Sequence, residues 1–352
     1  MTEPSPTPGI RAALNGAGEL ELTMVNAPAG AVIRMDVNAT SPRMLCTQGR
    51  YLAPVQAPPG TRIRFRLFQG KRGLTAPETF IMPGAPPAQP VPSTLIPCTQ
   101  NRDFMIYDWA ARHEAACRAV RKTHPDLLFI GDSITDNYRK DNLPCQDFLP
   151  IWKKYYAPYN AFNAGFNGNT TDDVLARIGG KGILDHVSPK VVQIMIGTND
   201  TGRGNTEEET FNGICRVVNK VHSKLPHASI LLVGILPSDI YNWHVAAAAY
   251  PDKKFKRDMA VNDRLARLYA KNPFVTFLDI RDVFLDGNGK VREELFCDPS
   301  VVVINGKKAG PLHPNTEGQR LMAEAIQPTL ARLMKKHSKQ ESRSIFPFSL
   351  PE

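Results

Sequence analysis

The chain has no C-x-x-C pair. Its six cysteines (Cys46, Cys98, Cys117, Cys145, Cys215 and Cys297) are widely scattered, so a structural zinc site is not expected and the even count is weak ground for disulfides. They are expected as free thiols or core residues. No apolar run reaches the roughly 18 to 20 residues of a membrane-spanning helix. The opening Met1-Thr2-Glu3-Pro4-Ser5-Pro6 lacks the basic-then-apolar order of a secretory leader. The expectation is therefore a cytoplasmic protein if Met1 is the native start, and a secreted or periplasmic one if a leader was removed. The formal net charge is +9, but Lys and Arg are dispersed apart from runs such as Lys253-Lys254-Phe255-Lys256-Arg257. No aromatic-rich nucleic-acid motif accompanies them, so neither nucleic acid nor membrane is expected as a partner. There is no internal repeat, and no G-x-S-x-G elbow of the α/β-hydrolase type.

Proline is unevenly spread. Residues 1–100 hold 15 of the 30, which argues against helices there. Thr61 to Leu67 alternates strictly, with Ile63, Phe65 and Leu67 toward a core and Arg62, Arg64 and Arg66 on the other face. Leu20–Val25 and Ala31–Val37 read as further strands. A small β-rich N-terminal domain is expected over 1–82, then a Pro-rich linker over 83–102. The arginine row is either a wet face or a site for an acidic ligand such as a uronate polymer.

From residue 103 the rhythm becomes strand and helix in alternation. Asp103–Lys122 has helical spacing, with Trp109, His113 and Cys117 four apart. Leu127–Ile130, Tyr159–Asn163, Val191–Ile196, Ile230–Ile235 and Val275–Leu278 are apolar strands. Thr206 to Glu209 is a capping box opening a helix. Arg257–Ala270 and Asn315–Met334 are helices. Continuous apolar strands alternating with helices imply a parallel sheet covered on both faces. The catalytic domain is placed at 103–335, with a loosely ordered tail over 336–352.

Three polar segments follow three successive strands: Gly131-Asp132-Ser133, Asn163 to Thr170, and Gly197-Thr198-Asn199-Asp200. A parallel sheet gathers these ends at one edge. Acyl transfer needs a nucleophile, a base and donors for the developing oxyanion. Ser133 can be the nucleophile, the N–H groups of Ser133 and Gly168 and the Asn199 amide the donors, and His313 the base. Singly, each has an ordinary reading as a turn, cap or loop residue. The weight lies in their joint order at strand ends.

These blocks resemble the SGNH (GDSL-type) hydrolases, and within them the branch containing the platelet-activating-factor acetylhydrolase catalytic subunits. The likeness runs from about Asp108 to Leu330. It rests on Trp109 and His113, Phe129 to Ser133, Asn163 to Thr171, Val174 to Ile178, Ile196 to Asp200, Gly234 to Pro237, Leu278 to Ile280 and Leu312 to Asn315. The resemblance implies a flavodoxin-like three-layer α/β/α sandwich and serine esterase chemistry with no cofactor or metal. It makes Ser133 the nucleophile, His313 the base, and Gly168 and Asn199 oxyanion donors. Asp132 and Asn169 are expected beside the substrate.

Two positions depart from the family pattern. The family usually has Asp three residues before its histidine, where this chain has Gly310. The leading expectation is a Ser133–His313 dyad with a backbone carbonyl holding His313. A substitute carboxylate from segment 298–310, with Asp298 first, is the second arrangement, and a weakened or inactive site the third. The other departure is Asn169, where the relatives usually carry Asp.

The expected function is hydrolysis of short, most simply acetyl, esters through an acyl-enzyme. The β domain, the dyad-like site and the arginine row favour a carbohydrate ester, and Trp243 in Tyr241-Asn242-Trp243-His244 is either a residue that stacks on a sugar in the substrate site or a loop aromatic packed on its own domain. Alternatives are a lysophospholipase or longer-chain esterase, an acyltransferase, and a non-catalytic carbohydrate-binding module. Oligomeric state is not legible.

Overall fold

The computed structural model describes residues 7–345 other than 38–48, 52–53, 56, 58, 70–71, 77, 85–93, 95–108, 181, 241–250 and 305. Trp243 and its neighbours thus lie outside the described residues.

Among the described residues, the paired strands of the N-terminal part are antiparallel. Strand β1 (Gly9–Leu14) pairs with β2 (Leu20–Val25). Strand β3 (Ala31–Val37) pairs with β5 (Arg62–Gln69), placing Ile33 opposite Leu67. Three short strands, β4 (Gly49–Arg50), β6 (Arg72–Gly73) and β7 (Glu78–Ile81), complete the second sheet. The period-2 pattern is realised: Ile63, Phe65 and Leu67 are buried with Leu20, Leu22, Ile33 and Met35 in a core of their own. Arg66 on the other face donates through Nε to Thr75 O at 2.6 Å, so part of the arginine row is engaged within the domain.

Thr94 is the described residue of the expected linker's centre. It is buried, and its hydroxyl donates to Glu209 O at 2.8 Å, so the connection is fastened to the α/β part.

The α/β part holds, among the described residues, a five-stranded parallel sheet. Its strands are β8 (Leu127–Gly131), β9 (Ala161–Gly165), β10 (Val191–Met195), β11 (Ser229–Val233) and β12 (Val275–Leu278), in spatial order β12-β11-β10-β8-β9. That is the flavodoxin-like order, whose direction of winding reverses between β8 and β10. Ligands bind at such a switch point because the loops leaving the two strands diverge to opposite faces there.

Alternate strand residues feed two separate cores. Leu128, Ile130, Val192, Ile194, Ile230 and Leu232 pack under helices α1 (Trp109–Thr123), α4 (Thr171–Ile178), α6 (Glu207–Lys224) and α7 (Pro251–Tyr269). Leu127, Phe129, Val191, Met195, Leu231 and Val233 pack under α3 (Leu149–Tyr155) and α10 (Thr316–Ile345). The result is three layers. Each fully buried aliphatic side chain is worth about 1.5–3 kcal/mol relative to exposure.

The expected capping box is present: Glu209 N donates to Thr206 Oγ1 at 3.1 Å and Thr206 N to the Glu209 carboxylate at 2.8 Å. The last helix corrects the expectation of a loose tail from 336, since it continues to Ile345. Its stretch Lys335 to Arg343 is rich in charge but has no Gly or Pro to stop it.

Candidate active site

Strand β8 ends at Gly131, and Asp132 caps the one-turn helix α2 (Ser133–Asp136), its Oδ1 accepting from Ile134 N at 2.9 Å. This places Ser133 on the first helical residue at the carboxyl edge of the sheet. Ser133 Oγ lies 3.0 Å from His313 Nε2.

The leading expectation of a dyad is corrected. His313 Nδ1 lies 2.8 Å from Asp298 Oδ1, and the other carboxylate oxygen accepts from the backbone N–H groups of Leu312 and His313. Burial works to raise the Asp298 pKa. The bond and charge of His313 and the two backbone donors outweigh it and hold the carboxyl below its usual range. An ionised carboxylate only accepts, so the imidazole proton sits on Nδ1 and the Nε2 lone pair faces Ser133.

The reason Asp298 reaches His313 from fifteen residues away is a closed excursion. A short helix, α9 (Asp298–Val301), leads into a hairpin of β13 (Val303–Ile304) and β14 (Lys307–Lys308). The neck of this excursion is tied shut by Cys297 N to His313 O at 2.9 Å and Asn315 N to Leu295 O at 2.8 Å. Gly310, the position where the resemblance leads to the expectation of an acid, lies inside the excursion, and Asp298 stands at its base. A signal was there in the sequence: the dipeptide Asn-Gly at 305–306, between Val303-Ile304 and Lys307-Lys308, is a strong pattern for a two-residue hairpin turn.

The second strand end carries the loop Asn163 to Thr170. Gly165 packs so closely on α2 that a Cβ would stand 2.5 Å from Asp136 N. Asn167 N donates to Asp136 Oδ2 at 3.1 Å, and Asp136 is itself bridged to Arg112 and Arg139. Gly168 has φ +73°, a left-handed conformation that glycine adopts without strain.

Asp132 and Asn169, expected beside the substrate, are 1% and 0% exposed. Asp132 is occupied under Ser133. The Asn169 side chain accepts from Arg177 Nε at 2.8 Å. Both are corrected to supports of the site rather than substrate contacts. Arg177 is fully buried, donates also to Ala164 O at 2.8 Å, and lies 4.2 Å from the Phe166 ring centroid. Burial lowers its pKa to about 10. His113, in the same cluster with Trp109 and Phe166, is lowered to about 4 by burial and then by Arg177, so it is neutral at pH 7 and takes no part as an acid.

The third strand end opens helix α5 (Thr198–Gly202). Asn199 Nδ2 donates to Asn169 O at 2.9 Å, leaving the second amide hydrogen for a ligand. Asp200 is buried and accepts from Thr171 Oγ1 at 2.6 Å. Burial pushes its pKa up to about 6, against the pull of the Thr171 donors. Beneath α5, a fully buried Lys254–Asp258 pair bonds Thr198 and Thr201 side chains. Sequence reasoning did not single out Arg177, Arg203, Asp200 or Lys254. Arg177, Asp200 and Lys254 lie inside quoted blocks and Arg203, whose Nη2 donates to Gly168 O at 2.6 Å, just beyond one, but only folding pairs each with its partner.

Fold and site together place Ser133, His313 and Asp298 in one hydrogen-bonded line at the switch point of an α/β sheet. Residues 129–321 match the GDSL-like lipase/acylhydrolase family, and the chain belongs to that family, within the SGNH hydrolase superfamily. It is a hydrolase acting on ester bonds. Among curated relatives it is similar to bovine platelet-activating factor acetylhydrolase IB subunit alpha1, 28% identical over 183 residues, covering 52% of this chain and 70% of that one. It is likewise similar to the rat alpha2 subunit, 29% identical, covering 52% and 71%. Among solved structures it is similar to a GDSL-like lipase from Bacteroides thetaiotaomicron, with 19% identity, a TM-score of 0.48 and coverage of 63% and 97%.

Proposed function

We propose that this protein removes short acyl groups, most simply acetyl, from an alcohol ester by way of an acyl-enzyme on Ser133. The observation that carries the reading is the unbroken chain Ser133 Oγ, His313, Asp298, with contacts of 3.0 and 2.8 Å. In the first step His313 Nε2 takes the Ser133 proton while Oγ bonds to the ester carbonyl carbon. The charge on the carbonyl oxygen is met by the N–H groups of Ser133 and Gly168 and the free hydrogen of the Asn199 amide. The C–O bond to the alcohol then breaks, and the alkoxide takes its proton from His313. Water repeats the sequence on the acyl-serine and releases the acid. Asp298 keeps the imidazole in the productive tautomer and stabilises its charged form. No metal or organic cofactor is needed for these steps.

The acetyl preference is supported by the relatives, which are named as acetylhydrolases. The dyad-like site no longer speaks for a carbohydrate ester, because Asp298 completes the chain. The β domain and its exposed arginine Arg62 still favour a carbohydrate over a phospholipid. Hydrolysis of p-nitrophenyl esters tests the reading. Wild type is expected to cleave the acetate, with activity falling steeply toward the octanoate, and both Ser133→Ala and His313→Ala are expected to reduce it to background. A flat or rising chain-length series makes the enzyme a longer-chain esterase or lysophospholipase instead.

A further inference from the structure

We propose that Lys254 and Asp258 are positioning residues for Asn199: from the first turns of α7 they grip α5 on both sides of Asn199 and so fix the direction in which its amide offers a hydrogen to the reacting oxygen. The inference rests on the reading of Asn199 as an oxyanion donor.

Residues 254, 258 and 262 stand four apart and share one face of α7. They are Lys254, Asp258 and Asn262, and they are 1%, 0% and 0% exposed. Each member of this buried polar stripe is bonded to a segment at the carboxyl edge of the sheet. Lys254 Nζ donates to Thr198 Oγ1 at 3.1 Å, to Ser238 Oγ at 2.8 Å and to Asp258 Oδ2 at 2.5 Å, which uses all three ammonium hydrogens. Asp258 Oδ1 accepts from Thr201 Oγ1 at 2.6 Å. The Asn262 amide meets both the N–H and the carbonyl of Ile235 at 2.9 Å. Arg257, beside the stripe, donates through Nη2 to Thr201 O at 2.9 Å.

Thr198 and Thr201 stand three apart in α5 and present one side of it to α7. Between them, Asn199 and Asp200 reach toward the oxyanion loop, Asn199 Nδ2 to Asn169 O at 2.9 Å and Asp200 to Thr171 Oγ1 at 2.6 Å. A helix of five residues is too short to be stable by itself, so bonds to its neighbours set its rotation about its own axis. A small rotation turns the Asn199 amide away from the place where charge develops, and a donor aimed wrongly loses its effect on the barrier.

Stability is a poor account of the pair. Taking a lysine and an aspartate out of water is costly, and well-packed apolar side chains of similar volume often serve stability as well or better. What apolar side chains cannot supply is directed bonds to the two threonine hydroxyls that bracket Asn199.

The test places Lys254→Met with Asp258→Leu, made together, in the wild-type and Asn199→Ala backgrounds, with Ser133→Ala as the blank. The measurements are kcat and KM on p-nitrophenyl acetate and the melting temperature. In the wild-type background kcat is expected to fall roughly 10- to 100-fold, a part of the roughly 10²- to 10³-fold loss expected for Asn199→Ala itself, with KM within about threefold. The melting temperature is expected to equal or exceed that of wild type. In the Asn199→Ala background the same replacement is expected to change kcat by less than about twofold, because residues that act through one another are not additive. Thr198→Val, which leaves both charges in place and removes the hydroxyl that Lys254 holds, goes through the same two backgrounds under the same criteria. Its expected loss is about 3- to 10-fold, and it carries the test if the double replacement does not fold. A kcat that stays within about twofold of wild type, or equal losses in the two backgrounds, overturns the inference. A melting temperature that falls in step with kcat marks a merely structural role and also overturns it, as does an Asn199→Ala enzyme with wild-type kcat. Failure of the functional reading looks different: wild type itself would match Ser133→Ala.

Discussion

The base half of the site and the oxyanion half are reached by the chain in different ways. The oxyanion half is assembled from consecutive strand ends, β9 and β10, that flank β8 in the sheet. Its residues are short-range neighbours of the strands that carry them, and its supports are buried: Asn169 and Arg177 are both 0% exposed. In the base half, Asp298 and His313 stand fifteen residues apart and are joined across the neck of a hairpin excursion. One half is fixed by the sheet, the other by a charged contact between the start of the short helix α9 and the loop that carries His313. The difference teaches where each half is vulnerable: the base half to loss of one carboxylate, the oxyanion half to changes in a buried polar network.

The largest effect expected from this contrast follows Asp298→Asn. The substitution keeps the shape but removes the charge that holds the Nδ1–H tautomer. A loss in kcat of about 10³- to 10⁴-fold is expected, by analogy with loss of the carboxylate in serine-protease triads, with little change in KM. Adding Gly310→Asp to that variant is expected to restore nothing, since position 310 lies within the excursion and not at its neck. Recovery of activity in the double variant would show that the usual family position still serves the histidine and would break the comparison.

A second test uses pH. Burial raises the Asp132 pKa from 3.8 to about 7; the Ile134 N–H and the charges of His313 and Lys254 oppose the rise, and Asp200 adds to it. An acid whose folded pKa lies above its unfolded value binds its proton more tightly when folded. Stability then falls as pH rises from about 4 to about 7 and levels off above. Asp132→Asn keeps the Oδ1 that caps Ile134 N but cannot titrate. Relative to wild type, the variant is expected to gain stability across that window, by up to about 4 kcal/mol. Urea unfolding at pH 4, 5.5 and 7.5 reads it. Parallel wild-type and variant curves would remove Asp132 as the source of the slope.

Legibility in the sequence followed the same division. Strand segments came through because each is a short apolar run ending in a polar block, and the resemblance supplied the flavodoxin-like order that the run alone could not. Ser133, Gly168, Asn199 and His313 were visible because each sits at or near a strand or helix end. Asp298 was named but ranked second, because the spacing to His313 hid a contact that only the hairpin makes. Asp132 and Asn169 were visible as residues and misplaced as substrate contacts, since burial is a property of the packed layers. Arg203, Arg177 and Lys254 were not legible at all: a basic residue in an ordinary helix gives no sign that its partner is a carbonyl or a carboxylate from another segment.

The smallest effect expected concerns Asn169, where the resemblance leads to the expectation of Asp. Arg177 is a fully buried cation whose near side-chain partner is a neutral amide. Asn169→Asp places a carboxylate of almost the same shape against Arg177 Nε. The cost of burying the cation is already present in the wild type, so the added charge chiefly offsets it. The variant is expected to be more stable by about 1–2 kcal/mol at pH 7, roughly the value of a hydrogen bond to a charged group. Because the new carboxyl would have a depressed pKa, the gain should be complete above the usual value of about 4 and be lost as pH falls through the lower, folded value. Activity is expected to stay within a few fold, since the Asn169 carbonyl that Asn199 grips belongs to the backbone. A destabilised variant at pH 7 would mean that Arg177 is already balanced by Asp173 and Asp136, both of which act on it through space. The oxyanion half would then owe its rigidity to packing around Phe166 rather than to its charges.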